Sequence, residues 1–160
     1  MSDAIPERPE PCSYPASVVI VASCYNERFT NALVEHCSDE LTHVLPCASV
    51  EVLRVPGAFE IPVTVRAAIE RSERRPDVVI ALGVIIRGST DHASLIGTAV
   101  TTSLLENAVQ SGVPVIHEVL LLDDESQAYD RCIAPELNRG RESARTAASM
   151  VRLFSSRFPR

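Results

Sequence analysis

Val78-Val-Ile-Ala-Leu-Gly-Val-Ile-Ile86 is apolar from end to end, and it gives way at once to Arg87-Gly-Ser-Thr-Asp-His92. An unbroken run rich in Val and Ile, bounded by a polar turn, reads as a strand buried on both faces. The turn that ends it carries two hydroxyls, a carboxylate and an imidazole beside backbone donors. In open α/β sheets, ligands bind at the carboxyl ends of the strands. Residues 83–92 are therefore the first candidate for a functional site.

Working outward, residues 17–23 form a short β-branched run that reads as another fully buried strand. A helix follows, with Phe29, Leu33, Cys37 and Leu41 at helical spacing up to Pro46. Residues 49–55 alternate Val50, Leu53 and Val55 with polar residues and stop at Pro56-Gly57, and a helix over about 61–72 tolerates Pro62 in its first turn. A helix over about 93–110 closes on Ser111-Gly112, a glycine cap, before a fourth apolar strand over 113–122. A short helix over about 125–132 precedes the last one, which Asn138 and Arg157 bound and which sets Ala144, Ala147, Val151 and Phe154 along one face. Strand and helix thus alternate, which predicts a four-stranded parallel sheet with helices on both faces.

The chain has 160 residues, enough for one domain, 17–160, with a single sizeable core. Residues 1–16 hold Pro6, Pro9, Pro11 and Pro15 and read as an extended tail that could pair with a neighbour's sheet. With 46% hydrophobic and 22% charged residues, the composition is that of a soluble globular protein. No apolar run approaches the ~18 residues of a membrane span. A net charge of −6 argues against nucleic acid as a partner, so any anion must be held locally. Five cysteines without C-x-x-C spacing argue against a disulfide framework or zinc site. With no secretory signal pattern, a reducing cytoplasm is expected.

Four strand ends converge on one edge of such a sheet: residues 23–26, 56–60, 87–92 and 117–124. Gly88-Ser89-Thr90 leads into a helix, whose first N–H groups and positive dipole end suit a phosphate. Ser89 or Thr90 could also simply cap that helix. His92, in the first turn, can move protons near neutral pH, with Asp91 beside it. Glu60 is either an acceptor for a polyol or amine, or an ordinary acid at a helix start. Arg131 offers a planar fork for phosphate or a basic helix end. His117 lies near the same edge, whereas His36 and His43 lack a third metal ligand. A C-x5-R phosphatase loop fails because Thr30 stands six residues after Cys24, and the end of the first strand lacks the acids of a phospho-acceptor domain. Neither nucleotide-binding glycine motif is present.

Five blocks in order, Tyr25-Asn26, residues 55–62, residues 83–92, Gln127-Ala-Tyr-Asp-Arg131 and Asn138-Arg-Gly-Arg-Glu142, resemble the lumazine synthase family and cover nearly everything after residue 17. The resemblance implies a flavodoxin-like α/β/α sandwich. It also implies condensation of 5-amino-6-(D-ribitylamino)uracil with 3,4-dihydroxy-2-butanone 4-phosphate to 6,7-dimethyl-8-ribityllumazine, phosphate and water, with no cofactor and no metal. By position, Tyr25 would stack on the pyrimidine. Asn26 belongs to the same substrate-binding turn, and Ala58, Phe59 and Glu60 would hold the ribityl chain. Val84, Ile85 and Ile86 would line the ring pocket. Ser89, Thr90 and Arg131, and with them Arg139, would bind phosphate, and His92 would shuttle protons. His117 stands where the family commonly carries an aromatic from a neighbouring subunit, and Ala93-Ser94-Leu95 replaces the usual aromatic-Asp-aromatic stretch. The family's pentamers and sixty-subunit shells imply a homo-oligomer, with riboflavin synthase as a further partner. A pentameric riboflavin synthase and a noncatalytic lumazine- or flavin-binding shell protein are the alternatives on the same fold.

Overall fold

Strand β1 (Ser17–Ser23) is buried at every position but its first, because it lies inside the sheet and is covered on both faces. It pairs in parallel with β2 (Ser49–Val55) on one side and β3 (Val78–Ile86) on the other, and β4 (Val115–Leu122) pairs with β3. The computed structural model, which describes residues 7–158, thus holds a four-stranded all-parallel sheet in the order β2-β1-β3-β4. Five helices cover it: α1 (Glu27–Val44), α2 (Ile61–Arg71), α3 (His92–Ser111), α4 (Glu125–Cys132) and α5 (Arg139–Arg157). The expected α/β architecture holds. One element was not anticipated, a 3-10 turn at Ala58–Glu60 that leads into α2.

The alternation of side chains along the central strands sorts the core into two halves. Val18, Ile20, Ile80 and Leu82 face α1 and α5, packing on Leu33, Leu41 and Ala147. Val19, Val21, Val79 and Ala81 face α2 and α3, packing on Ile61, Val65, Val100 and Leu104. Edge strand β2 is less covered than its pattern implied, since Val50 and Val52 are exposed and only Val55 is fully buried. An edge strand has one lateral neighbour, so its outer faces stay open. No helix among the described residues is long and apolar enough to cross a membrane.

Chain punctuation follows the sequence signals. Asn138 caps α5 by accepting from the Arg141 N–H at 3.1 Å, Asp124 caps α4 by accepting from Gln127 N–H at 2.9 Å, and Gly112 ends α3 in the left-handed region at φ 66°. Close contact between α1 and α5 also depends on Gly140, where an added Cβ would lie 2.6 Å from the Leu33 carbonyl oxygen.

Residues 7–16 contain no helix or strand and make contacts with their own chain. Cys12 N–H donates to Val44 O at 2.9 Å, and the Arg152 guanidinium donates to the carbonyls of Glu10 and Pro11. Arg8 grips the Glu40 carboxylate with two bonds of 2.8 and 2.7 Å, while Arg145 of α5 bonds the same carboxylate at 2.8 Å. Fork-shaped guanidiniums make such two-sided bonds with little further ordering. The remainder of the tail, 1–6, lies outside the described residues.

Candidate active site

At the carboxyl edge of the sheet, β1 ends in a turn whose Asn26 adopts left-handed dihedrals, φ 55° and ψ 48°. That conformation costs most L residues about 1–2 kcal/mol, and asparagine tolerates it best after glycine. The Asn26 amide then donates to the Val84 carbonyl at 2.8 Å, which locks the β1 turn against the end of β3. In the neighbouring turn, the Glu60 carboxylate accepts from Gly57 N–H at 2.9 Å and closes the loop before α2. One Glu60 oxygen thus serves the turn, and the residue also lines the cavity.

These turns enclose a cavity of about 540 Å³. Its wall includes Tyr25, Asn26, Ala58, Phe59, Glu60, Val84, Ile85, Ile86, Thr90 and His92, so ten of the residues singled out in the sequence meet in one place. The mixture of an apolar floor with a few convergent polar groups is that of a small-molecule site. Gly57 and Gly88, from the turns expected at this edge, also line it, and so do Ala93 and Ile96, which were not predicted as site residues. Ile96 had a visible signal, since it lies four residues after His92 and so on the same helical face.

The start of α3 bears on the capping reading of the loop. Asp91 is the N-cap residue and makes no side-chain capping bond, so neither Ser89 nor Thr90 serves as the cap. The first-turn N–H groups of a 20-residue helix therefore open on the loop at the cavity mouth. Such groups, backed by the helix dipole, favour an anion.

Not every expected residue meets the cavity within one chain. Ser89 is exposed in the loop but is not part of the wall. His117 sits on β4, where its Nε2 lies 2.9 Å from Thr101 Oγ1 of α3, and partial burial lowers its pKa from the usual imidazole value. Arg131 is half-buried near the end of α4 and is also absent from the wall.

Arg139 has a different placement from the phosphate ligand that the sequence suggested. It is 5% exposed and paired with Glu142 in the first turn of α5, so its guanidinium serves an internal ion pair. The charge of this pair reaches Glu118 on β4. Burial, and next the negative charge of Glu142, push the Glu118 carboxyl up to about 8, with Arg139 opposing. Its unfolded value is 4.5, so between pH 4.5 and 8 the folded state holds a proton that the unfolded state releases, and stability falls as pH rises through that window. Glu118→Gln is expected to flatten this slope. Urea midpoints should match wild type near pH 4.5 and exceed it at pH 8, by on the order of 1–3 kcal/mol.

Sequence comparison identifies the site's lineage. A family profile described as 6,7-dimethyl-8-ribityllumazine synthase matches residues 15–155. The chain belongs to this family. Relatives bearing that name include one from Leifsonia xyli subsp. xyli, 42% identical over 132 residues that cover 81% of this chain and 80% of the relative. Another, from Halorhodospira halophila, is 36% identical over 87% of this chain and 88% of its own length. A third, from Nitrobacter hamburgensis, is 34% identical over 86% and 85%. Family membership bears out the predicted resemblance and the expected condensing enzyme of riboflavin biosynthesis, and nothing found favours the pentameric riboflavin synthase or noncatalytic shell readings.

Proposed function

We propose that the cavity at the carboxyl edge condenses 5-amino-6-(D-ribitylamino)uracil with 3,4-dihydroxy-2-butanone 4-phosphate. The observation that carries this reading is the meeting of Tyr25, residues 84–86, His92 and the uncapped start of α3 around one cavity. Tyr25 and Phe59 are 74% and 60% exposed and so present open ring faces to a flat pyrimidine. Polar groups at Asn26 and residues 58–60 suit a ribityl chain. The amides at the start of α3, with the Ser89 and Thr90 hydroxyls, hold the phosphate.

The chemistry asks for proton movement and for leaving-group stabilisation. Attack of the pyrimidine amine on the ketone forms a C–N bond, and loss of water makes the imine. Breaking the C–O bond to phosphate then sends its electron pair to the leaving dianion, which the helix start and Arg131 stabilise. Ring closure releases a second water. His92 accepts and returns the protons of these steps. Holding two reactants in register supplies roughly 7–11 kcal/mol in favourable cases, so few reactive side chains suffice.

The assembly is a homo-oligomer, read as a pentamer or a sixty-subunit shell, in which His117 and Arg131 of an adjoining copy complete the cavity. Support comes from exposed apolar side chains at Phe59, Val63, Leu95, Leu105 and Val109, on the 3-10 turn, α2 and α3. A groove of about 530 Å³ between α2 and α3 continues from the cavity through Phe59 and Glu60. Exposed patches of this kind mark contact surfaces. The tail 1–16 and the domain 17–160 act as one unit in this assembly, in the cytoplasm, where unpaired cysteines persist.

Incubation with both substrates should yield the lumazine product, followed by its absorbance, and lumazine alone should not be consumed. No product from the pair, or turnover of lumazine alone, would overturn the assignment. Arg131→Ala is expected to raise KM for the phosphorylated substrate by about tenfold or more, the weight of a lost charged hydrogen bond. KM for the pyrimidine should change little, and an equal loss for both would contradict the role given to Arg131.

A further inference from the structure

We propose that Arg87 is a positioning residue that braces the anion loop, tying its two ends together and to the first turn of α4. This inference rests on the reading of that loop as the phosphate site. Residues 87–92 are all exposed, and a Cβ added at Gly88 would meet nothing within 4 Å, so packing does not hold the loop. Polar contacts must set its shape.

Arg87 supplies them from the point where the loop leaves β3. Its N–H donates to Leu122 O at 2.9 Å, and its Nη1 donates to Ser94 Oγ at 2.7 Å in the first turn of α3, two residues past His92. Its Nε lies 2.9 Å from Asp123 Oδ1. The other oxygen of Asp123 accepts from Gln127 Nε2 at 3.1 Å, and Gln127 Oε1 accepts from Asp123 N–H at 3.0 Å. Gln127 lies one turn before Arg131 on α4. One guanidinium thus spans the loop, and a carboxylate and an amide extend the tie to the first turn of α4. The guanidinium is not part of the cavity wall and acts through the loop.

Hydrogen exchange and steady-state kinetics together test the brace. In Arg87→Ala, amides 88–95 should exchange at least about tenfold faster while those of α2 keep their wild-type rates. KM for the phosphorylated substrate should rise about tenfold with KM for the pyrimidine within about twofold, since a small misplacement of a binding group is costly. Asp123→Ala separates bracing from charge. Removing a negative charge near an anion site would lower that KM if charge alone mattered, whereas loss of the brace raises it. Unchanged exchange in Arg87→Ala, an equal rise in both KM values, or a lower KM in Asp123→Ala would overturn the proposal. Absence of turnover in the wild-type protein would instead overturn the reading of the site, and exchange at 88–95 would still report on the brace.

Discussion

Replacing His92 by alanine is expected to lower kcat by roughly 10²–10⁴-fold, the range typical for loss of a positioned proton carrier. The imidazole stands on the first residue of α3 and lines the cavity together with Tyr25. The proposed condensation moves protons at several steps, and His92 is the imidazole that its own chain brings to that wall among the described residues. His92 is exposed, so its removal opens no core cavity and the melting transition should stay within about 0.5 kcal/mol of wild type. Steady-state kinetics on both substrates, beside a thermal melt, measure the two effects separately. An unchanged rate would remove His92 from the mechanism.

The largest expected loss of stability comes from Glu40→Ala, about 3 kcal/mol. Glu40 is 1% exposed, and burial alone would push its carboxyl up. Hydrogen bonds from Arg8 and Arg145, with their charge, bring it down to about 2 instead. Deleting the carboxylate leaves Arg145, largely buried on α5, without this partner and detaches Arg8 of the tail from α1. The folded value lies below the unfolded value of 4.5, so the contribution is complete above pH 4.5 and is lost as pH falls toward 2. Urea titrations should therefore show the full difference between variant and wild type at pH 7 and a shrinking one below pH 4. A difference that stays constant down to pH 2 would separate Glu40 from the ion cluster.

Local signals were enough for most of the framework. The apolar run over 78–86, the glycine at 112 and the asparagine at 138 each act within a few residues, so their strand, helix end and helix start can be read in order along the chain. The 3-10 turn at Ala58–Glu60 escaped notice because Gly57 and Glu60 form it by a contact across three residues that resembles an ordinary helix start. The prolines of the tail were legible in the sequence. The tail's attachment was not, because Arg8 meets Glu40 across 32 positions and Glu40 meets Arg145 across 105.

The site divides along the same line. Turns that follow successive parallel strands must share an edge, so the meeting of Tyr25, Ala58, Val84 and His92 followed from strand order alone. Whether a given side chain faces that edge did not. Arg139 and Arg131 are both arginines near helix ends, yet one closes on Glu142 inside the fold and the other lies half-buried on α4, a difference set by what packs around each.

By itself, the sequence determined the parallel α/β sheet, the edge where the cavity lies, and the residue types gathered there. These depend on hydrophobic period, turn residues and motif order, all written locally. Only the tertiary structure decided that Asp91 leaves α3 uncapped, that Glu40 joins the tail to two helices, and that Arg87 spans the anion loop. Those outcomes rest on contacts between residues far apart in the chain, whose distances and burial no local pattern encodes.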